Sequence, residues 1–376
     1  MEKVKIKNIF DFQKKSKIKA GDGFKLGEAQ YPFYTSSNEL TKSINEYLFE
    51  DESLIFGTGG LASIHFCNEK FAVSTDCFVI QPKDKKRVFS KFVYYYLSGN
   101  MNILENGFKG AGLKHISKDY LENIEIPLPN LATQQRIAAI LDQADAIIQN
   151  NRAIVQKYDA LTQSLFLDMF GDPVKNEKGW EVFKLSQLSD ITSSRRIFKD
   201  EYVDNGIPFY RTKEIVELSK NKKITSELYI SVERYNEIKS SNNIPQIGDI
   251  LLSAVGTIGV MWIVNNDNPF YFKDGNLIWL KMAKSKNINS KYLIMTLEYL
   301  IEFEKGNLAQ GAAYNALTID KLKQFNVSIA PIPRQNQFAE RVELIEAQKQ
   351  QAQLELAKSE ELFQSLLQRA FKGELN

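Results

Sequence analysis

The stretch Leu131–Pro173, LATQQRIAAILDQADAIIQNNRAIVQKYDALTQSLFLDMFGDP, decides how the rest of the chain is read. Alternating steps of four and three from Ile137 land on Leu141, Ala144, Ile148, Asn151, Val155, Tyr158, Thr162, Leu165 and Met169. A second stripe at Ile140, Ile147, Ile154 and Leu161 repeats every seven residues. That pattern predicts one long amphipathic helix whose apolar face is wide enough for more than one neighbour. Proline ahead of it (Pro127-Leu128-Pro129) and Gly171-Asp172-Pro173 behind it mark the two ends, because proline disfavours helix and glycine suits the C-terminal cap.

Working outward, the helix has a copy. Gln163-Ser164-Leu165 recurs as Gln364-Ser365-Leu366, and Phe170 as Phe371. In the same register Gly110-Ala111 matches Gly311-Ala312, Asp119 matches Asp320, Leu121 matches Leu322 and Gln134 matches Gln335. Further back the offset drifts, as insertions would cause. Ser90-Lys91-Phe92 pairs with Ser290-Lys291-Tyr292, and Pro32-Phe33-Tyr34 with Pro208-Phe209-Tyr210. A constant register over so long a span is an internal duplication. Each copy reads as a globular part followed by a helix, the second helix opening after Pro331-Ile332-Pro333 and carrying a weaker seam. Each helix, at roughly 35–40 residues, is about 50–60 Å long.

Two helices with exposed apolar stripes bury them most economically on each other, as an antiparallel coiled coil. Asn151 on the seam reads equally as a register setter or as a tolerated polar position near solvent. The globular stretches mix short β-rich runs (Ser53–Phe56, Cys77–Ile80, Ile250–Ser253, Leu277–Lys281) with helical ones (Phe89–Leu97, Lys291–Phe303). The expected fold class is therefore α+β, with 1–130 globular, 131–171 helix, 172–332 globular and 333–376 helix.

Composition agrees with a folded two-part protein. The chain has 376 residues, 43% hydrophobic and 25% charged, with 24 Phe and 16 Tyr for its cores. Its 48 basic and 46 acidic residues nearly cancel, so any nucleic-acid surface must come from local clustering. No apolar run is long enough to span a membrane, and MEKVKIKNIFDF lacks a signal-peptide core. With only Cys67 and Cys77, a disulfide framework is excluded, and a cytoplasmic location is expected.

Chemistry-bearing motifs are sparse. His65, Cys67, Cys77 and His115 are the right types for zinc but lack ligand spacing, so no metal is expected. Gly57-Thr58-Gly59-Gly60 lacks the spacing of a phosphate loop and reads as a tight turn. Asn268-Pro269-Phe270-Tyr271 resembles the NPPY motif of amino-methyltransferases but lacks its second proline, and no methyl-donor loop precedes it. No catalytic residue is assigned.

Basic clusters do recur in both globular parts. The first part has Lys14, Lys15, Lys17, Lys19 and Lys25, and then Lys83, Lys85, Lys86 and Arg87; the second has Arg195, Arg196 and Lys199, and then Arg211, Lys213, Lys220, Lys222 and Lys223. Such clusters suit phosphate neutralisation. The loops Lys109–His115 and Gln310–Asn315 add Lys114, His115, Tyr314 and Asn315 as polar edges for bases, with glycines that permit close approach.

Residues 124–185 carry a resemblance. Their PLP-x-L-x-x-QQRI entry, long helix, QSLF-DMFGDP exit and GW-x-x-x-x-L restart resemble the central region of specificity (S) subunits of type I restriction-modification systems. The duplication extends the resemblance over essentially the whole chain, although the second helix opens as PIPRQNQFAERV, without the QQRI wording. The resemblance implies two target-recognition domains held apart by the coiled coil, each reading half of a split site on double-stranded DNA. It implies a non-catalytic subunit that docks two modification subunits, here through Ile140, Ile147, Ile154 and Leu161, with two restriction (motor-nuclease) subunits joining them. S-adenosylmethionine, ATP and magnesium would belong to those partners, not to this chain. A methylation-only or other bipartite-site system, a stand-alone methyltransferase or nuclease with divergent motifs, and a coiled-coil scaffold without DNA contact are the alternatives.

Overall fold

The computed structural model describes residues 2–241, 243–282, 288–306 and 316–375. Backbone contacts divide the chain into two compact units, Met1–Ile154 with Gln351–Asn376, and Val155–Gln350. The division runs through both long helices, Leu131–Phe170 and Ile332–Lys372. The second helix starts a residue earlier than its prolines suggest, because Pro333 falls in the first turn, where its missing N–H costs nothing.

In the first unit, an antiparallel four-stranded sheet runs Phe10–Phe12, Cys77–Pro82, Ser53–Gly57, Ile64–Cys67. Ser53–Gly57 lies in the middle and is buried along its whole length. Its alternate residues serve two cores: Leu54 and Phe56 join Ile80 on one face, while Ile55 joins Val79, Tyr34 and Phe71 on the other. A period of two produces this division, since successive strand side chains point to opposite faces. A second sheet runs Phe24–Lys25, Lys42–Ile44, Tyr31–Tyr34, Ala72–Val73, its last pair parallel.

The second unit repeats both sheets in the same order. One runs Asp190–Thr192, Leu277–Lys281, Ile250–Ser253, Met261–Ile263, and the other Tyr202–Val203, Tyr229–Ile230, Ile207–Tyr210, Tyr271–Phe272, again with a parallel last pair. The matched triplets Pro32-Phe33-Tyr34 and Pro208-Phe209-Tyr210 occupy the same strand of the same sheet. Ile250 and Leu252 face one core and Leu251 the other, as in the first unit.

Each unit is closed by both long helices. Ile137, Ala138 and Leu141 of the first helix and Leu367 and Ala370 of the second complete one core with Phe92, Val93 and Leu97. Phe166, Met169 and Phe170 of the first and Phe338 and Val342 of the second complete the other with Tyr292, Leu293 and Leu297. Within the first unit the helices pair antiparallel: the Arg136 guanidinium donates to the Leu375 carbonyl (2.7 Å) and Arg152 pairs with Glu360 (2.7 Å). The Asn151 amide donates to Ser359 Oγ (3.3 Å), which supports the register reading of that residue. Within the second unit Asp159 pairs with Lys349, and Arg334 donates to the Met169 carbonyl (3.0 Å).

The helix entries are fastened by the two matched glutamines, both fully buried. Gln134 accepts from the Phe89 N–H (2.9 Å) and donates to the Arg87 and Pro129 carbonyls (3.0 and 2.8 Å). Gln335 accepts from the Asn289 N–H (2.8 Å) and donates to the Ala330 carbonyl (2.6 Å). The repeated Gln thus marks a polar clasp between helix entry and globular part. At the far end of the first helix, Gly171 takes φ +77°, and its N–H closes on the Leu167 carbonyl (2.8 Å), a conformation only glycine adopts freely.

Candidate nucleic-acid interface

One residue ties the first unit's candidate loops together. Thr58, in the turn after the central strand, donates through its N–H and its hydroxyl to the Asp76 carbonyl (2.8 and 3.0 Å). Its own carbonyl accepts from the Ile116 N–H and faces His115 Nδ1, both at 3.1 Å. The neighbouring Thr75 N–H donates to the Ile18 carbonyl (2.8 Å). Three separate loops, 13–19, 57–63 and 109–115, are therefore stitched to one end of the unit. Lys14, Lys15 and Lys17 come from the first loop, and Lys114 and His115 from the last. All five are exposed.

Electrostatics distinguishes these cations. Lys15 lies over the Phe78 ring (5.6 Å), which stacks edge-on with Phe12, and Lys118 lies over Phe12 (5.1 Å). Among the described residues Lys14, Lys17 and Lys114 have no carboxylate partner, so their charge is uncompensated.

The second unit repeats the hub with different side chains. The Ala254 N–H donates to the Asn276 carbonyl (2.8 Å), and its carbonyl accepts from the Leu317 N–H (2.9 Å). Only backbone groups are common to Thr58 and Ala254, so the sequence marks Thr58 as part of a tight turn without revealing either hub. The loop carrying Arg195 and Arg196 is attached here too: Ser193 Oγ donates to the Leu277 carbonyl (3.1 Å), and the Arg195 N–H to the Tyr271 hydroxyl (2.7 Å). The Arg195 side chain is exposed, while Arg196 is paired with Asp274 (2.8 Å).

Three of the other candidate cations of this unit are paired with carboxylates. Arg211 grips the buried Glu214 and reaches Glu227 (both 2.8 Å), and Lys213 also pairs with Glu227 (2.5 Å). Hydrogen bonds from Lys213 and Arg211 hold the Glu227 carboxyl at about 2. Burial would raise the Glu214 carboxyl, yet the bonds from Arg211 leave it below its ordinary value. Arg211 is thus a clamp at the start of helix Thr212–Ser219, a role its sequence cluster did not reveal. Lys222 pairs with Glu217 (3.2 Å), whereas Lys223 is exposed and has no carboxylate partner among the described residues. Tyr314 and Asn315 lie outside the described residues.

Of the four docking candidates, Ile147, Ile154 and Leu161 are exposed and Ile140 is half-buried. The seam residues Ile137, Leu141, Ala144 and Ile148 are buried.

His65 Nε2 faces the Ser37 carbonyl (2.8 Å), and burial lowers its proton affinity. His115 is engaged at Thr58, Cys67 and Cys77 are buried free thiols, and burial pushes Cys77 up to about 11. Among the described residues no three His, Cys, Asp or Glu side chains group as a metal site. No helix among them is long and apolar enough to cross a membrane.

Known proteins resemble this chain in sequence and in fold. A Haemophilus influenzae chain named as a candidate type I restriction enzyme specificity subunit is 28% identical over 318 residues, covering 82% of this chain and 78% of that one. The EcoDI type I restriction enzyme specificity subunit of Escherichia coli is 25% identical, covering 93% and 83%. The crystal structure of a type I restriction-modification S subunit from M. genitalium superposes with a TM-score of 0.62 at 16% identity, over 98% of this chain and 96% of that one. The family model described as "Type I restriction modification DNA specificity domain" matches residues 1–157 and 177–356, one match for each copy of the duplicated unit. With the family model matching both copies of the duplicated unit, the chain belongs to the family of type I restriction-modification specificity subunits.

Proposed function

We propose that each unit reads one half of a bipartite target on double-stranded DNA, using the loops gathered at Thr58 and at Ala254. The repeated hub carries this reading: two copies of one backbone framework present different side chains, as two readers of different half-sites require. Lys14, Lys17, Lys114, Arg195 and Lys223 supply phosphate contacts that position the domains, and neighbouring side chains read base edges. Each correct base contact contributes about 1–3 kcal/mol, so two short half-sites together reach useful specificity.

The chain itself performs no catalysis. The exposed stripe Ile147, Ile154 and Leu161, with Ile140 at its edge, docks two modification subunits, and two motor-nuclease subunits complete the restriction enzyme. S-adenosylmethionine, ATP and magnesium are used by those partners. The paired helices set the spacer between half-sites. A methylation-only assembly would use the same surfaces.

Methylation mapping in a host without its own system tests this reading. Replacing residues 1–130 by the equivalent part of another specificity subunit should rewrite one half-site and preserve the other half and the spacer. Adding a heptad to both helices at the level of Asn151 and Ser359 adds about 10 Å and should lengthen the spacer by about three base pairs. A swap that rewrote both half-sites together would overturn the two-reader model.

A further inference from the structure

Leu113 and Leu61 are 80% and 76% exposed, the two highest values among the exposed large hydrophobic residues described. A single exposed leucine needs no explanation, but these two share one feature. Leu61 follows Gly59-Gly60 and Leu113 follows Gly110-Ala111-Gly112, and the two loops are bridged by Gly59 and His115. The bridge is close: a Cβ on Gly59 would lie 3.0 Å from His115 Cε1. Gly60 and Gly110 take φ +82° and +147°, so both turns depend on backbone that side chains rarely allow. Two glycine-built turns thus present large apolar side chains to solvent where they contribute nothing to a core.

The surroundings indicate what covers them. Lys114 is adjacent to Leu113, and the Thr58 hub attaches the loop of Lys14 and Lys17, all three without carboxylate partners among the described residues. An apolar tip in an uncompensated basic surround fits a polyanion with apolar faces, which is DNA and not an ordinary protein surface. We infer that Leu61 and Leu113 make the apolar base contacts of the first domain, against thymine methyl groups or the face of a base step, and so determine part of its half-site. This rests on the DNA-reading role proposed above.

The test uses the assembled modification enzyme carrying Leu61→Ser and Leu113→Ser together. Both positions are exposed, so folding and melting temperature should be unchanged. Methylation mapping should show lost discrimination at one or two positions of one half-site. Cognate duplex binding should weaken by about tenfold or more, with the salt slope and non-specific affinity unchanged. An unaltered motif with cognate affinity within about twofold overturns the inference. Weakened modification-subunit binding with discrimination between cognate and scrambled duplexes unaltered also overturns it, assigning the leucines to a protein contact. A parallel Lys14→Ala, Lys17→Ala, Lys114→Ala variant separates the two levels. If its salt slope falls while the leucine variant is silent, only this inference fails; if neither changes, the first domain's DNA surface is misplaced.

Discussion

The contrast between free and paired cations yields a quantitative prediction. Lys14, Lys17 and Lys114 are gathered by one hub and have no carboxylate partner among the described residues, whereas Lys213 is held by Glu227. A lysine that neutralises one phosphate adds about 0.9 to the slope of log K against log salt. Changing all three to Ala should therefore flatten that slope by about 2.7. Because the counterion contribution scales as salt concentration to that power, the loss at 0.1 M salt is about 500-fold and should apply to every sequence tested. Lys213→Ala removes a charge already compensated at the surface, so its slope should change by less than about 0.3. Anisotropy titrations of cognate and scrambled duplexes across about 0.05–0.3 M KCl, with the assembled enzyme, measure both quantities. A slope change below about 1 for the triple variant would refute the assignment, as would a Lys213 effect of equal size.

Two further expectations concern the scaffold. Gln134→Met should leave the Phe89 N–H and two carbonyls without their partner, at about 1 kcal/mol for each group and about 3 kcal/mol together; thermal unfolding should move down by roughly 6–12 °C, and Gln335→Met should act similarly and additively. A shift under about 2 °C would mean that neighbours or water replace the clasp. Ile147→Lys with Ile154→Lys should abolish co-purification with the modification subunits while leaving the circular dichroism of the helices intact, since neither side chain is buried here; undiminished assembly would locate docking elsewhere.

Much of the fold was legible because the signals are local and repeated. A heptad stripe over forty residues, bounded by proline and glycine, can be little other than a long helix, and its copy doubles the signal. The strands Ser53–Gly57 and Leu277–Lys281 were visible as short apolar runs because both lie in sheet centres, buried on two faces. The candidate site was less legible. Clustering along the chain groups Arg211 and Lys213 with Lys222 and Lys223, yet Glu214 and Glu227 neutralise the former pair through contacts that charge counting does not register. Conversely, Lys17 and Lys114 are almost a hundred residues apart, and their loops are tied to one hub only through the backbone of Ile18, Thr75, Asp76, Thr58 and Ile116.

The sequence by itself determined the duplication, the two helices, the α+β class and the family, because each depends on residue order, spacing or wording. Tertiary structure alone decided which ends of the helices complete which core, since Leu367 and Ile137 fill one interior although the chain separates them by most of its length. It also decided which cations are free. Burial and charge pairing act through space, so residues distant along the chain become neighbours only when the backbone hydrogen bonds of the folded loops bring them together.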